Sequence, residues 1–155
     1  MFTKILVAYD RSPHARAALG HAIDIARTQQ AQLTVLTSYS TVLPWPAMSA
    51  PGLTQSIYDE LVEAAHAEGQ AAIDEAVSRV PTGLAAITRL VDAPAADAVL
   101  TEATGGGHDL IVMGSRGRGD AGSMLLGSVS HRVLHAAHVP VLVVAAPRDD
   151  LERVT

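Results

Sequence analysis

The chain has 155 residues, 48% hydrophobic and 17% charged, a balance that suits one compact domain over residues 1–155 with enough interior for a sizeable core. Its formal net charge of −5 argues against generic nucleic-acid or anionic-membrane binding, which is carried largely by clustered Lys and Arg, so any anion must be bound locally. The absence of cysteine excludes disulfides, thiolate metal sites and thiol nucleophiles, and MFTKILVAYD reaches an acidic residue too soon for a signal peptide; with no apolar run of membrane-spanning length, a cytoplasmic protein is expected.

The first predicted element is a short β-rich run, Ile5 to Tyr9, with Asp10 at its end. A helix follows from about Ser12 to Thr28, where Ala15, Ala18, Leu19, Ala22, Ile23 and Ala26 recur at helical spacing and Pro13 suits the first turn. Gln32 to Tyr39 reads as the second strand. The segment STVLPWPAMSAPG, Ser40 to Gly52, lacks periodicity and reads as a surface loop, with a lid anchored by Trp45 as the alternative. A long helix is expected from Thr54 to Arg79, with Ile57, Leu61, Ala65, Ala72, Ile73, Ala76, Val77 and Val80 along one side and Pro81 with Gly83 ending it. Leu84 to Val91 is the third strand, Pro94 to Thr104 a short helix, Asp109 to Met113 the fourth strand, Ser128 to Ala137 a helix and Val139 to Ala145 the last strand. Such alternation predicts an α/β fold, a parallel sheet with helices on both faces and right-handed crossovers.

The stretch IVMGSRGRGDAGSMLLGSV carries the chemistry. An apolar run ends at Gly114, Gly117 follows after two residues, and Gly127 and Ser128 come after nine more, where helical periodicity begins. Glycines let backbone N–H groups approach a ligand closely, and a helix start leaves N–H donors unpaired, so Gly127, Ser128 and Val129 form a candidate phosphate site with Ser128 as the expected N-cap. Arg116 and Arg118 add positive charge beside it.

The spacing Gly114-x2-Gly117-x9-Gly127-Ser128, together with the opening KILVAYDRS, resembles the ATP-binding signature of the universal stress protein family, and the resemblance runs from Lys4 to about Ala146. It implies an open five-stranded parallel sheet of order 3-2-1-4-5, Rossmann-like and similar to the adenine nucleotide alpha-hydrolases. In that order the first and fourth strands flank the crevice where ligands of open α/β sheets bind, so Asp10 and Gly114 would meet at one site. By matching motif positions, the resemblance places Ala8 and Ser38 near the adenine, Met113 and Gly114 beside the nucleotide, and Gly117, Gly127, Ser128 and Val129 at the phosphates. Asp10 either accepts a ribose hydroxyl or helps hold a Mg2+ ion bridging the phosphates, or else caps the helix beginning near Ser12. Asp92, in VDAP, stands where relatives commonly carry glycine.

Competing motifs fail. Gly117, Gly119 and Gly122 spell G-x-G-x-x-G, but the strand VLVVAAP that follows ends without the acidic residue a dinucleotide ribose needs. Gly122 to Ser128 has Walker A glycine spacing, yet no Lys follows Gly127. His131, His135 and His138 share a helix side, but Val129, Val133, Ala136 and Ala137 take the core-facing side, which leaves the histidines on a solvated face; His14, His21, His66 and His108 form no recognisable cluster. No Ser-His-Asp order or carboxylate pair marks a catalytic residue near the glycine loop, whose nearby carboxylates are Asp10 and Asp120.

The apolar run VPVLVVAA would lie at a sheet edge, with Pro140 at its start, and predicts homodimerisation through Val141 to Ala145. The favoured expectation is a cytosolic homodimer that binds ATP or another adenine nucleotide with Mg2+ and acts in stress regulation. The alternatives are an enzyme that slowly hydrolyses ATP or transfers its adenylyl group, and a nucleotide-independent dimeric interaction module.

Overall fold

The computed structural model describes residues 1–41, 52, 54–117 and 126–146, and shows the strands β1 (Lys4–Ala8), β2 (Gln32–Tyr39), β3 (Ala86–Asp92), β4 (Leu110–Gly114) and β5 (Val141–Val144). Between them lie the helices α1 (Pro13–Gln29), α2 (Gln55–Arg79), α3 (Ala95–Gly105) and α4 (Ser128–Ala136). The strands form one parallel sheet in the order β3-β2-β1-β4-β5, as expected, with Ile5 opposite both Leu33 and Leu110. Expected boundaries agree to within two residues for every strand and helix.

Successive strand residues face opposite sides of the sheet, and the core divides accordingly. Ile5, Val7, Leu33, Val35, Leu110 and Val112 pack under α1 and α2, while Leu6, Leu36, Ile111 and Met113 pack with Ala96, Val99 and Val133 of α3 and α4. Ile5, Leu6 and Ile111 are fully enclosed; such burial stabilises by about 1.5–3 kcal/mol per side chain.

Helix α1 starts where its sequence directs. Ser12 is the N-cap, its hydroxyl oxygen accepting the Ala15 N–H at 3.1 Å, and Pro13 opens the first turn where no N–H is needed. Gln30 ends it in the left-handed conformation (φ 55°) and returns its N–H to the Ala26 carbonyl.

The long helix α2 departs from expectation. Only Gly69, Ala72, Ile73 and Ala76 are buried, while Ile57, Leu61 and Val77 are exposed. A helix of 25 residues spans about 37 Å at 1.5 Å per residue, whereas strand β2 of 8 residues spans about 27 Å. The early turns of α2 therefore extend past the strands that would cover them. Gly69 marks the close approach to the sheet, since a Cβ there would lie 2.7 Å from Leu90 Cδ1. Ala136, expected to face the core from α4, is also exposed, because it ends a helix of 9 residues that anchors through Ser130 and Val133.

The edge position of β5 is as expected, and Leu142 on it is 36% exposed. The chain after Ala146 lies outside the described residues, as do Trp45 and the rest of its expected loop from 42 to 51.

Candidate functional site

The β1–α1 turn brings three polar side chains to the carboxyl end of the sheet. Asp10 Oδ1 accepts the Ser12 N–H at 3.0 Å, which fixes the turn, while Ser12 itself caps the helix. Asp10 thus does not cap the helix but closes an Asx-type turn two residues before the cap. Between them Arg11 takes a left-handed backbone (φ 67°), uncommon for a residue with a Cβ.

That strained residue is anchored by a carboxylate on the neighbouring helix. Glu75 of α2 accepts Arg11 Nε at 3.1 Å, Arg16 Nε at 2.8 Å and the Tyr9 hydroxyl at 2.5 Å, with Arg79 Nε at 3.5 Å. The hydrogen bond from Arg16, then those from Tyr9 and Arg11, hold the Glu75 carboxyl down at about 2 against the cost of its burial. Burial and the adjoining Glu75 carboxylate push the Tyr9 phenol up to about 12. The group clasps α2 to the turn that carries Asp10.

The second half of the site comes from the end of β4. Gly114 lacks room for a side chain: a Cβ would lie 2.8 Å from the backbone carbon and Cβ of His14 and 2.9 Å from the Ala15 nitrogen. The glycine that closes the apolar run is thus required by the packing of α1 onto β4. Ser115 then makes three links. Its N–H donates to the Val144 carbonyl at 2.7 Å, its carbonyl accepts the Gly127 N–H at 2.7 Å, and its hydroxyl lies 3.0 Å from His14 Nδ1. The bond to Gly127 brings together the two roots of the glycine-rich loop. Residues 118–125 between them, including Arg118 and Asp120, lie outside the described residues.

At the far root, Gly127 rather than the expected Ser128 is the N-cap of α4, and among the described residues no side chain caps this end. Ser128 is the first helical residue and is exposed. The hydroxyl that turns back belongs to Ser130, which donates to the Gly114 carbonyl at 2.8 Å. Helix α4 thus begins without a side-chain cap among the described residues, and a helix start of this kind favours an anion.

These pieces line a partly open cavity at the carboxyl ends of β1 and β4, of about 520 Å3 when the open space at its mouth is counted. Of the expected site residues, Ala8, Asp10, Ser38, Met113, Gly114, Gly117 and Val129 line it, with Arg116, Leu36, Val99 and Ser130. Gly127 and Ser128 are not among the lining residues; they begin α4 next to Val129. Gly117 lies close enough to Asp10 that a Cβ would stand 3.0 Å from Oδ2. The two loops also meet directly, Ser12 Oγ lying 3.4 Å from the Arg116 carbonyl. A second opening of about 730 Å3 shares Asp10, Ser38 and Ala95 and extends toward Glu68 and Gly69 of α2.

Sequence reasoning missed Ser115, Ser130, Glu75 and His14. Ser115 follows the motif glycine Gly114, Ser130 lies three residues beyond Gly127, and His14 stands one turn before Ala18 on the buried stripe of α1, where an apolar residue is the ordinary occupant. Burial, followed by the Arg116 charge, lowers the His14 pKa below its usual 6.5, opposed by Asp10. His131 and His135 are exposed on α4 with ring centroids 4.6 Å apart. Asp92 accepts the Thr41 N–H at 3.0 Å and hydroxyl at 2.8 Å and so ties down the chain leaving β2.

Comparison with known proteins follows the same outline. The family model described as universal stress protein family matches residues 1–145. The chain is 37% identical over 144 residues to a Thermus aquaticus protein named universal stress protein in QAH/OAS sulfhydrylase 3'region, covering 93% of this chain and 99% of that one. The structure of universal stress protein UspA from Lactobacillus plantarum matches with a TM-score of 0.78 at 28% identity, over 92% of this chain and 97% of that one. An Arabidopsis thaliana universal stress protein family protein with AMP bound shares the fold, with a TM-score of 0.69 at 17% identity over 96% and 94% of the two chains.

Proposed function

The chain belongs to the universal stress protein family, and from that premise we propose that it is a cytosolic ATP-binding regulatory protein that acts as a homodimer. The observation that carries this reading is the convergence at one cavity of Asp10, the Gly114–Gly117 strand end and Val129 in the first turn of α4, although more than a hundred residues separate the first from the last. Adenine would lie against the apolar wall of Ala8, Leu36 and Met113, where small Ala8 and Ser38 leave space. The ribose would be within reach of Asp10, and the phosphates would gather at the Gly117 backbone and the N–H groups of Ser128 and Val129, the Gly127 N–H being held by the Ser115 carbonyl.

The donor set also suits Mg2+. This ion binds through one or two carboxylates together with substrate phosphates and water, and among the described lining residues Asp10 alone is acidic. The AMP in the Arabidopsis protein is a precedent for an adenine nucleotide in this fold. The homodimer would form through the edge strand β5, residues Val141 to Ala145, where the exposed Leu142 leaves apolar surface uncovered.

The test is titration calorimetry of the purified protein with ATP and with AMP in the presence of Mg2+, using Gly127→Val as the control. The backbone of Gly127 (φ −73°) is open to any residue, so valine adds bulk at the start of α4, beside the proposed phosphate position, without demanding a forbidden conformation. Saturable ATP binding that the variant loses supports the site. Unchanged affinity in the variant overturns it, and ATP turnover abolished by Asp10→Ala would replace the regulatory reading with a hydrolase.

A further inference from the structure

We propose that His14 is the positioning residue that couples occupancy of the nucleotide cavity to the pairing of edge strand β5. The inference rests on the nucleotide site and the dimer edge proposed above. His14 is 6% exposed, and its Nδ1 receives the Ala146 backbone N–H at 2.9 Å. A backbone N–H only donates, so Nδ1 carries the lone pair and the ring proton lies on Nε2. The Ser115 hydroxyl stands 3.0 Å from that same nitrogen.

One imidazole nitrogen thus joins two places that matter separately. Ala146 lies just beyond β5, and Ser115 is the root of the glycine-rich loop. Ser115 is bonded onward in both directions, to Val144 of β5 through its N–H and to Gly127 at the start of α4 through its carbonyl. A phosphate that fixes the first turn of α4 fixes Gly127, and Gly127 fixes Ser115. With Ser115 held, His14 is held, and the acceptor for Ala146 is in place. The base of the side chain is held in place, because the His14 backbone and Cβ pack against Gly114 at distances that exclude even a Cβ on that glycine. The charged groups that face the imidazole from the surrounding loops are Arg116 and Asp10, both of which line the cavity.

Coupling of this kind is reciprocal: with one site on each protomer, saturating ATP tightens the dimer by the square of the factor by which dimerisation tightens ATP binding at each site. The experiment is sedimentation equilibrium of the full chain with and without saturating Mg-ATP, for wild type, His14→Gln and His14→Leu. Wild type should dimerise about fivefold or more tightly with ATP. His14→Leu, which has no acceptor, should bring that factor close to one while ATP binding and dimerisation each persist. His14→Gln, which offers a carbonyl oxygen, should restore part of it. Equal factors in wild type and His14→Leu overturn the inference.

Should His14→Leu fail to fold, hydrogen exchange at the Ala146 amide in wild type decides the matter, since the proposal requires slower exchange with ATP bound and unchanged exchange refutes it. Absence of ATP binding or of dimerisation in wild type is read in the same experiments. Either result removes the underlying function together with this inference, and is distinct from the case in which both occur but are uncoupled.

Discussion

Replacing Glu75 with glutamine tests the clasp between α2 and the turn that carries Asp10. The substitution keeps the volume and removes one charge from among Arg11, Arg16 and Arg79. A carboxyl held at about 2 instead of the ordinary 4.5 is favoured in its charged form by roughly 3 kcal/mol. The three guanidinium side chains are 40, 37 and 47% exposed, so solvent and salt reduce that figure to about 1–2 kcal/mol. For a chain of this length the melting temperature should fall by about 2–8 °C at pH 7 and low ionic strength. The pKa is lowered on folding, so the contribution is fully present above 4.5 and is lost as pH falls through about 2. Differential scanning calorimetry of wild type and Glu75→Gln from pH 7 to pH 2 reads this directly, with the gap widest near neutrality and closing in acid. A gap that does not narrow in acid, or no gap at pH 7, would refute the assignment of the stabilisation to the Glu75 charge.

Other substitutions probe the remaining contacts. Gly114→Ala places a Cβ 2.8 Å from the His14 backbone and should destabilise by about 1–3 kcal/mol, seen as a lower denaturant midpoint; an unchanged midpoint would show that α1 moves aside freely. Leu142→Lys puts a charge on the exposed side of β5 and should convert the proposed dimer to monomer in sedimentation, whereas a persisting dimer would place the interface elsewhere. The folded pKa of His14 lies below 6.5, so its neutral ring contributes stability that is complete above 6.5 and is lost as pH falls through the folded value. A denaturation series in acid should show that loss in wild type and less of it in His14→Gln; identical profiles would remove His14 from the explanation.

The sheet was legible because its strands are short apolar runs bounded by turn chemistry, and β2 matches its expected span, Gln32 to Tyr39. Helix α1 was legible for the same reason, with Ser12, Pro13 and an alanine-rich stripe pointing to one start and one face. Helix α2 was read correctly in extent but not in burial, since helical spacing shows which residues share a side and not how far the sheet beneath them reaches. At the site, glycine spacing and topology together located the cavity wall at Asp10, Gly114, Gly117 and Val129. The packing reason for Gly114 was not legible, because it depends on His14 and Ala15 arriving from another element. Ser115 and Glu75 escaped for the same cause: their partners are supplied by β5, α4 and the β1–α1 turn, and no local pattern announces a contact made across the fold.

Amide chemical-shift mapping by NMR during titration with Mg-ATP tests the proposed nucleotide site most directly. The shifts should centre on Ala8, Ser38, Met113, Gly114, Gly117 and Val129 and vanish in Gly127→Val. Shifts clustered instead around Arg27, Gln30, Gly83 and Leu84, which line a separate opening, or no shifts at all, would contradict it.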